Sequence, residues 1–355
     1  MLVVGYGPVG ALLAARLGAA GRSVVVIDRA SAPFPLPRAV AADGEVLEVL
    51  ERTVPGISEG FVVDPPVRFL SALREETARL RFPPRGLALF AQPVLEQRLR
   101  AHVDALPGVQ VRLGVELRSF VQDDAGVTAD VDGEPVRARW LVGCDGASST
   151  VRRLLGVPLV GRELPHRWLV CDVEGGPLPD RQAVTYTCDP ARPQVDMPVP
   201  GGHRWEWLLR DGARPVEELL APDVDPSSVR VVRAVEYRFA AQRARSWRVG
   251  RVLLAGDAAH TMPPFAGQGL GAGLRDAWAL GALLPRDDVD GYQRLREPHL
   301  RRMTVLSLLL GGLVQARRGG PVRDAALRAA FAAPALGPWL RRGGPRADVS
   351  GVLSL

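Results

Sequence analysis

Residues Met1 to Ala30 read MLVVGYGPVGALLAARLGAAGRSVVVIDRA. An apolar run, Met1–Val4, breaks at Gly5-Tyr6-Gly7-Pro8-Val9-Gly10 and gives way to an Ala/Leu-rich stretch reaching about Ala20. A second apolar run, from Ser23 to Ile27, ends on Asp28. Strand, glycine turn, helix, strand and acid follow in register, the βαβ pattern of a dinucleotide site. The three glycines serve different ends. Gly5 makes the tight turn, Gly7 lets the backbone approach a pyrophosphate, and Gly10 lets helix and strand pack closely. The helix start offers unpaired N–H groups and a positive dipole end to phosphate. Asp28 stands where a carboxylate grips an adenosine ribose. Because almost nothing precedes the first strand, its outer end is expected to fray, unless residues have been trimmed ahead of it.

Two further segments repeat the theme. In WLVGCDGASSTVRR, Trp140 to Arg153, a strand ends at Asp145-Gly146 and a helix follows. In RVLLAGDAAHTMPPFAGQGLGAGLRDA, Arg251 to Ala277, the apolar run stops at Gly256-Asp257 before a histidine, two prolines and several glycines. Alone, the first of these reads more readily as a turn with a capping Asp or Ser. Together with the glycine turn they describe strand ends gathered at one sheet crevice.

The 355 residues exceed one ordinary domain, and 47% apolar with 24% charged residues is a globular profile. No N-terminal segment has signal-peptide organisation, and the longest largely apolar run, Val305–Val314, is too short to span a bilayer. A soluble, cytoplasmic protein is expected. The net charge of +6 arises entirely from arginines, since lysine is absent, as is asparagine. Those arginines are scattered, which fits a GC-rich genome better than a nucleic-acid surface. Three cysteines without CxxC spacing and few, dispersed histidines point to free thiols and to no metal site.

Between the motifs, helices are expected at about 43–52 and 92–106, with short β runs at 67–72 and 78–82. A meander follows at 109–113, 118–122, 127–131 and 135–137. From 165 to 237 strand-like segments alternate with turns, including 168–173, 183–187 and 204–209, and helices return after Arg251. The expected fold is α/β: a Rossmann-like nucleotide-binding domain in three pieces (1–65, 93–164 and 246–310), with an inserted β-sheet substrate domain (66–92 and 165–245) and a C-terminal helical segment (311–355).

With GxGxxG at Gly5–Gly10, Asp145-Gly146 mid-chain and Gly256-Asp257 near the end, the sequence resembles the class A flavoprotein aromatic hydroxylases, of the para-hydroxybenzoate hydroxylase type. PRAVAADGEVL, WLVCDV, TCDPARPQV and HRWEWLL make it most similar to 3-(3-hydroxyphenyl)propionate hydroxylase-like monooxygenases over most of 1–315. Those proteins usually continue into a thioredoxin-like domain, which is not expected here.

The resemblance implies bound FAD, transient NADPH or NADH, and O2 as co-substrate. A phenol would be hydroxylated through a C4a-hydroperoxyflavin. It places Gly5, Gly7, Pro8, Val9 and Gly10 at the pyrophosphate and Asp28 with Arg29 at the adenosine. Gln92 would touch the flavin chain, Arg38 the ring edge and nicotinamide path, and Asp145 would order the surrounding loops. Gly256 and Asp257 would meet the ribityl hydroxyls. Pro263, Pro264, Gly267, Gly269, Leu270 and Gly271 would run along the isoalloxazine. Arg38, Pro263 and Pro264 are thus flavin-proximal candidates, and no acid–base residue is assigned. The family commonly has Asn where Gly271 stands, which puts the helix start and flavin affinity in question.

RWEWLLR (Arg204–Arg210) shares two tryptophans with the WxWxIP motif of flavin halogenases, but it lacks Ile-Pro and the chain has no lysine. Alternation puts Trp205 and Trp207 on one strand face, either as core or as an aromatic wall of the substrate pocket with Tyr186 and Phe265. His260 reads as structural. The expected partner is a small aromatic substrate, with no nucleic acid or membrane, acting on a monomer or homodimer. A redox-silent FAD-binding protein, or a monooxygenase of an aromatic polyketide, are the other readings.

Overall fold

In the computed structural model the opening strand, Leu2–Val4, lies inside a six-stranded sheet. Parallel strands flank it on both sides, Val24–Asp28 on one and Leu141–Gly143 on the other. Val109–Leu113 extends the first side; Val252–Leu254 and then Arg248–Val249 extend the second, with only the last pair antiparallel. Strand order therefore reverses at Leu2–Val4, and in open α/β sheets the ligand crevice forms at the carboxyl ends beside such a reversal. Asp28, Asp145 and Asp257 all stand at that edge. The description covers every residue except 37, 179–181, 211, 213, 335 and 342–351. Parts of the loop after Asp28, of the expected insert and of the helical tail thus lie outside the described residues.

The core strands are continuous apolar runs because helices cover them; Leu2, Val3, Leu141, Val142 and Val252–Leu254 are fully buried. The first helix, Pro8–Ala19, packs its alanines and leucines between this sheet and the helix Gly269–Leu283. The outer end of the first strand does not fray. The Met1 nitrogen donates to Ser23 O at 2.7 Å, Leu2 N to Trp140 O at 2.9 Å and Val25 N to Met1 O at 2.8 Å. Strands distant in sequence supply those partners, and the terminal residues alone carry no sign of them.

A second, eight-stranded sheet runs in the order His260–Thr261, Arg230–Ala244, Leu159–Glu174, Gly202–Leu209, Gln194–Val199, Val184–Thr187, Val67–Leu70 and Glu76–Leu80. Its two longest strands, Leu159–Glu174 and Arg230–Ala244, pair antiparallel with a register shift between Glu163 and Arg167. The first begins at 159, ahead of the 165 expected from sequence, because its apolar pattern only becomes regular at Trp168. Each face of this sheet carries a buried cluster. One joins Phe69, Tyr186, Val195, Met197 and Phe265 in a cluster. The other packs Leu169, Cys171, Trp205 and Trp207 against the short helix Val216–Leu220.

Smaller elements complete the frame. Three of the four runs expected as a meander form an antiparallel sheet (117–123, 126–131, 134–138), whereas the first, Val109–Leu113, pairs parallel with Val24–Asp28 in the nucleotide sheet. A small antiparallel sheet pairs Leu87–Leu89 with Ala41–Asp43 on one side and Val62–Val63 on the other. The carboxyl-terminal helices are Tyr292–Gln315, Gly320–Ala332 and Leu336–Arg341. Among the described residues no helix is long and apolar enough to cross a membrane.

Candidate functional site

One cavity of about 830 Å³ runs from the glycine turn to the large sheet. At its nucleotide end lie Gly5, Gly7, Pro8 and Val9. Gly5 has φ +102°, and a Cβ there would come within 2.4 Å of the Cys144 carbonyl oxygen. A Cβ on Gly10 would fall 1.9 Å from the Gly5 carbonyl oxygen. Gly10 therefore closes the turn against the helix and does not itself line the cavity. Gly7 is the converse case, lining the cavity with no protein atom within 4 Å of the Cβ position. The helix that begins at Pro8 has no side-chain cap, so its N–H groups are left for a ligand or solvent.

The three strand-end acids are held differently. Asp28 lines the cavity while its carboxylate accepts from Tyr6 N at 2.6 Å and Ala30 N at 2.8 Å, bracing the glycine turn. Asp145 accepts from Ser149 Oγ at 2.5 Å, Thr150 N at 2.7 Å and Val151 N at 3.1 Å, so it caps the helix Thr150–Leu154 and orders the loop beneath the cavity. Asp257 has no donor among the described protein groups. Its side chain is exposed to the cavity, and the protein atoms massed around it raise its carboxyl above the usual range, with His260 and Arg38 opposing. An acceptor with no protein partner is left available to a ligand that enters the cavity. His260, by contrast, is structural: its Nε2 lies 2.6 Å from Asp276 Oδ2, with both residues buried.

A second uncapped helix start points into the same space. Gly267, with φ +62°, turns the chain into the helix Gly269–Leu283, and Gly267, Gly269, Leu270 and Pro264 line the cavity. Gln92, Arg29 and Arg38 line it as well. Gln92 is fixed by Ala39 N donating to its Oε1 and by its Nε2 donating to Glu96 Oε1, both at 2.7 Å. The Arg38 guanidinium lies 4.3 Å over the Phe34 ring.

Two residues expected along the ring, like Gly10 at the turn, do not line the cavity. Pro263 lies outside the lining, its carbonyl accepting from Ser307 Oγ at 2.6 Å. Gly271 faces away, where a Cβ would meet Arg275 Nη1 at 3.0 Å and Val46 Cγ2 at 3.1 Å. The lack of a side chain there makes room for Arg275, which bridges Asp43 at 2.7 Å and binds Glu45. The departure at Gly271 therefore bears on helix packing and leaves the cavity wall unchanged.

At the far end Tyr186 and Phe265 line the cavity as expected, with Tyr186 Oη donating to Phe265 O at 2.6 Å. Trp205 and Trp207 do not. Both are 0% exposed and occupy the opposite face of the sheet, under the helix Val216–Leu220. Alternation gives the cavity Arg204 and Glu206 instead. The pattern shows which residues share a face, but the facing helix decides which face meets the cavity. Trp207 Nε1 donates to Gln194 Oε1 at 3.0 Å. Trp207→Phe is therefore expected to cost about 1–3 kcal/mol in denaturant unfolding by orphaning that oxygen, with flavin titration unchanged.

Sequence reading also missed Arg204, Glu206, Glu96 and Arg100. For Arg204 and Glu206 the available signal was charge inside an otherwise apolar strand, HRWEW, whereas Glu96 and Arg100 sit in the mixed polar helix Gln92–Asp104. Arg204 is buried and forks onto Asp172 at 2.6 and 2.8 Å, while its Nη1 donates to Arg38 O at 2.7 Å. It thereby ties the large sheet to the loop carrying Arg38.

The reversed α/β sheet, uncapped helix starts and partnerless Asp257 define a dinucleotide-binding protein whose cavity extends onto a second sheet. Residues 1–286 match the FAD binding domain family, and the chain belongs to it. Family and cavity agree on FAD as the cofactor. The chain is 37% identical to a probable NADH-specific resorcinol 4-hydroxylase of Rhodococcus jostii (strain RHA1), over 92% of its own length and 66% of the relative's. It is 36% identical to a 3-(3-hydroxy-phenyl)propionate/3-hydroxycinnamic acid hydroxylase of Comamonas testosteroni, over 94% and 62%. The chain thus spans a little under two thirds of these relatives' length. The p-nitrophenol 4-monooxygenase PnpA of Pseudomonas putida DLL-E4 superimposes with a TM-score of 0.88 at 25% identity, covering 97% of each chain.

Proposed function

We propose that this chain is an FAD-dependent aromatic hydroxylase that uses NADH or NADPH and O2 to add one oxygen atom to a small phenol. The observation that carries the reading is Asp257: a strand-end carboxylate with no protein donor among the described residues, lining the same cavity as the glycine turn and the aromatic side chains of Tyr186 and Phe265. When bound, FAD would supply the electron transfer and oxygen activation that side chains cannot.

The chain's own residues bind, orient and exclude water. Gly5, Gly7, Pro8 and Val9 with the uncapped helix start would hold the pyrophosphate, and Asp28 with Arg29 the adenosine. Gln92 and Asp257 would receive the ribityl chain, the latter with Gly256. Pro264 and the N–H groups at Gly267, Gly269 and Leu270 would lie against the ring, where a helix start stabilises negative charge. Arg38 would guard the nicotinamide approach, Asp145 keeps its loop-ordering role, and Tyr186 with Phe265 would wall the substrate. The names of the relatives, a resorcinol and a hydroxyphenylpropionate hydroxylase, support a hydroxyarene substrate. A cytoplasmic setting suits three free thiols, and a monomer or homodimer that uses neither nucleic acid nor membrane completes the proposal.

Titration of the purified chain with FAD tests the binding half: one FAD per chain is expected, with a shifted flavin spectrum. Addition of NADH with and without resorcinol tests the catalytic half. The expected outcome is NADH oxidation stimulated by the phenol. A chain that takes up FAD but oxidises NADH at one rate regardless of phenol would overturn the hydroxylase reading.

A further inference from the structure

Glu206 occupies the middle of an otherwise apolar row on the cavity face of the large sheet. Val170 and Val195 are its cross-strand partners, and Tyr186 and then Phe69 continue the row. The residue is only 8% exposed and lines the cavity, yet no protein donor reaches its carboxylate among the described groups. The nearest cations are committed elsewhere. Arg204 forks onto Asp172 and Arg38 O, and Arg233 lies 3.8 Å from Asp172. An acceptor placed in apolar surroundings without a donor costs stability unless a ligand completes it.

We infer that Glu206 is the specificity-determining residue of the substrate end, accepting a hydrogen bond from a phenolic hydroxyl and selecting uncharged hydroxyarenes over aromatics that would place a carboxylate or an ether there. This inference rests on the aromatic-hydroxylase reading above. A hydroxyl donates to the carboxylate, an ether oxygen has no proton to donate, and a second carboxylate at this spot meets like charge in a medium of low polarity. Burial raises the Glu206 carboxyl, Arg204 and Arg233 oppose that and Asp172 reinforces it, so the group gains from a donor in either protonation state.

The test reads ligand binding to the FAD-loaded chain by perturbation of the flavin absorbance, without turnover. Resorcinol, its dimethyl ether and 3-(3-hydroxyphenyl)propionate are titrated into wild type, Glu206→Gln and Glu206→Leu. Wild type is expected to bind resorcinol at least about tenfold tighter than the ether, with the propionate weaker than resorcinol. Each variant should lose about tenfold to a hundredfold in resorcinol affinity, the range of one hydrogen bond to a charged group, and leave the ether unchanged. Equal resorcinol affinity in wild type and both variants overturns the inference, as does a wild type that prefers the ether, or variants that bind the propionate as tightly as wild type does. Loss of FAD from both variants would mark Glu206 as structural and overturn it too. Failure of wild type itself to take up FAD would instead overturn the reading beneath.

Discussion

Gly10→Ala is expected to break the folded nucleotide site, whereas Gly7→Ala should leave the fold intact and weaken FAD alone. The two glycines stand three residues apart in one turn, but their surroundings are opposite. A methyl on Gly10 would lie 1.9 Å from the Gly5 carbonyl oxygen, and backbone atoms there cannot rotate aside. Helix and turn must separate, at about 3 kcal/mol or more, the upper end for overpacked sites. A methyl on Gly7 meets no protein atom within 4 Å, and its φ of −73° is one that alanine adopts freely. It would, however, project into the cavity where the pyrophosphate is proposed to approach. FAD affinity should fall by about a hundredfold or more, with denaturant midpoints of the apo-protein within about 1 kcal/mol of wild type. Equal effects of the two substitutions on stability would show that the turn is not organised in this way.

Asp276→Asn and Asp257→Asn should separate in the same manner, one costing stability and the other cofactor. Asp276 is fully buried and accepts from His260 Nε2 at 2.6 Å, Arg296 Nε at 2.9 Å and Gly256 N at 3.1 Å. Burial works against its ionisation. His260, Arg296 and the Gly256 N–H nevertheless hold the carboxyl below the usual range. Removing the charge leaves the buried Arg296 unpaired, a change that costs about 3–5 kcal/mol. Asp257 has no such partners, so its replacement should leave unfolding of the apo-protein unchanged or slightly harder. Its effect falls on FAD, with affinity lower by about tenfold to a hundredfold. Chemical denaturation and flavin titration of the same two variants read both effects.

The nucleotide half of the site was legible because its requirements are local. A tight turn needs Gly5, close packing needs Gly10, and a strand that ends at a crevice carries its acid there, so GxGxxG, Asp145 and Asp257 stand out as text. What was not legible depended on a partner far away in sequence. Met1 is tied down by Ser23 and Val25, and Leu2 by Trp140, which no terminal reading reveals. The tryptophans of HRWEWLL share a face, but only the helix Val216–Leu220 shows that this face is closed and that Arg204 and Glu206 meet the cavity. Gly271 drew attention as a flavin contact, yet its small size serves the buried Arg275 beside it.

The hydroxylase reading makes one demand that a mere flavin carrier does not meet. The FAD-loaded chain, given NADH, resorcinol and isotopically heavy dioxygen, should yield a product carrying one heavy oxygen atom on the ring. NADH consumed with only hydrogen peroxide formed, and no heavy oxygen in any aromatic product across a panel of phenols, would contradict it.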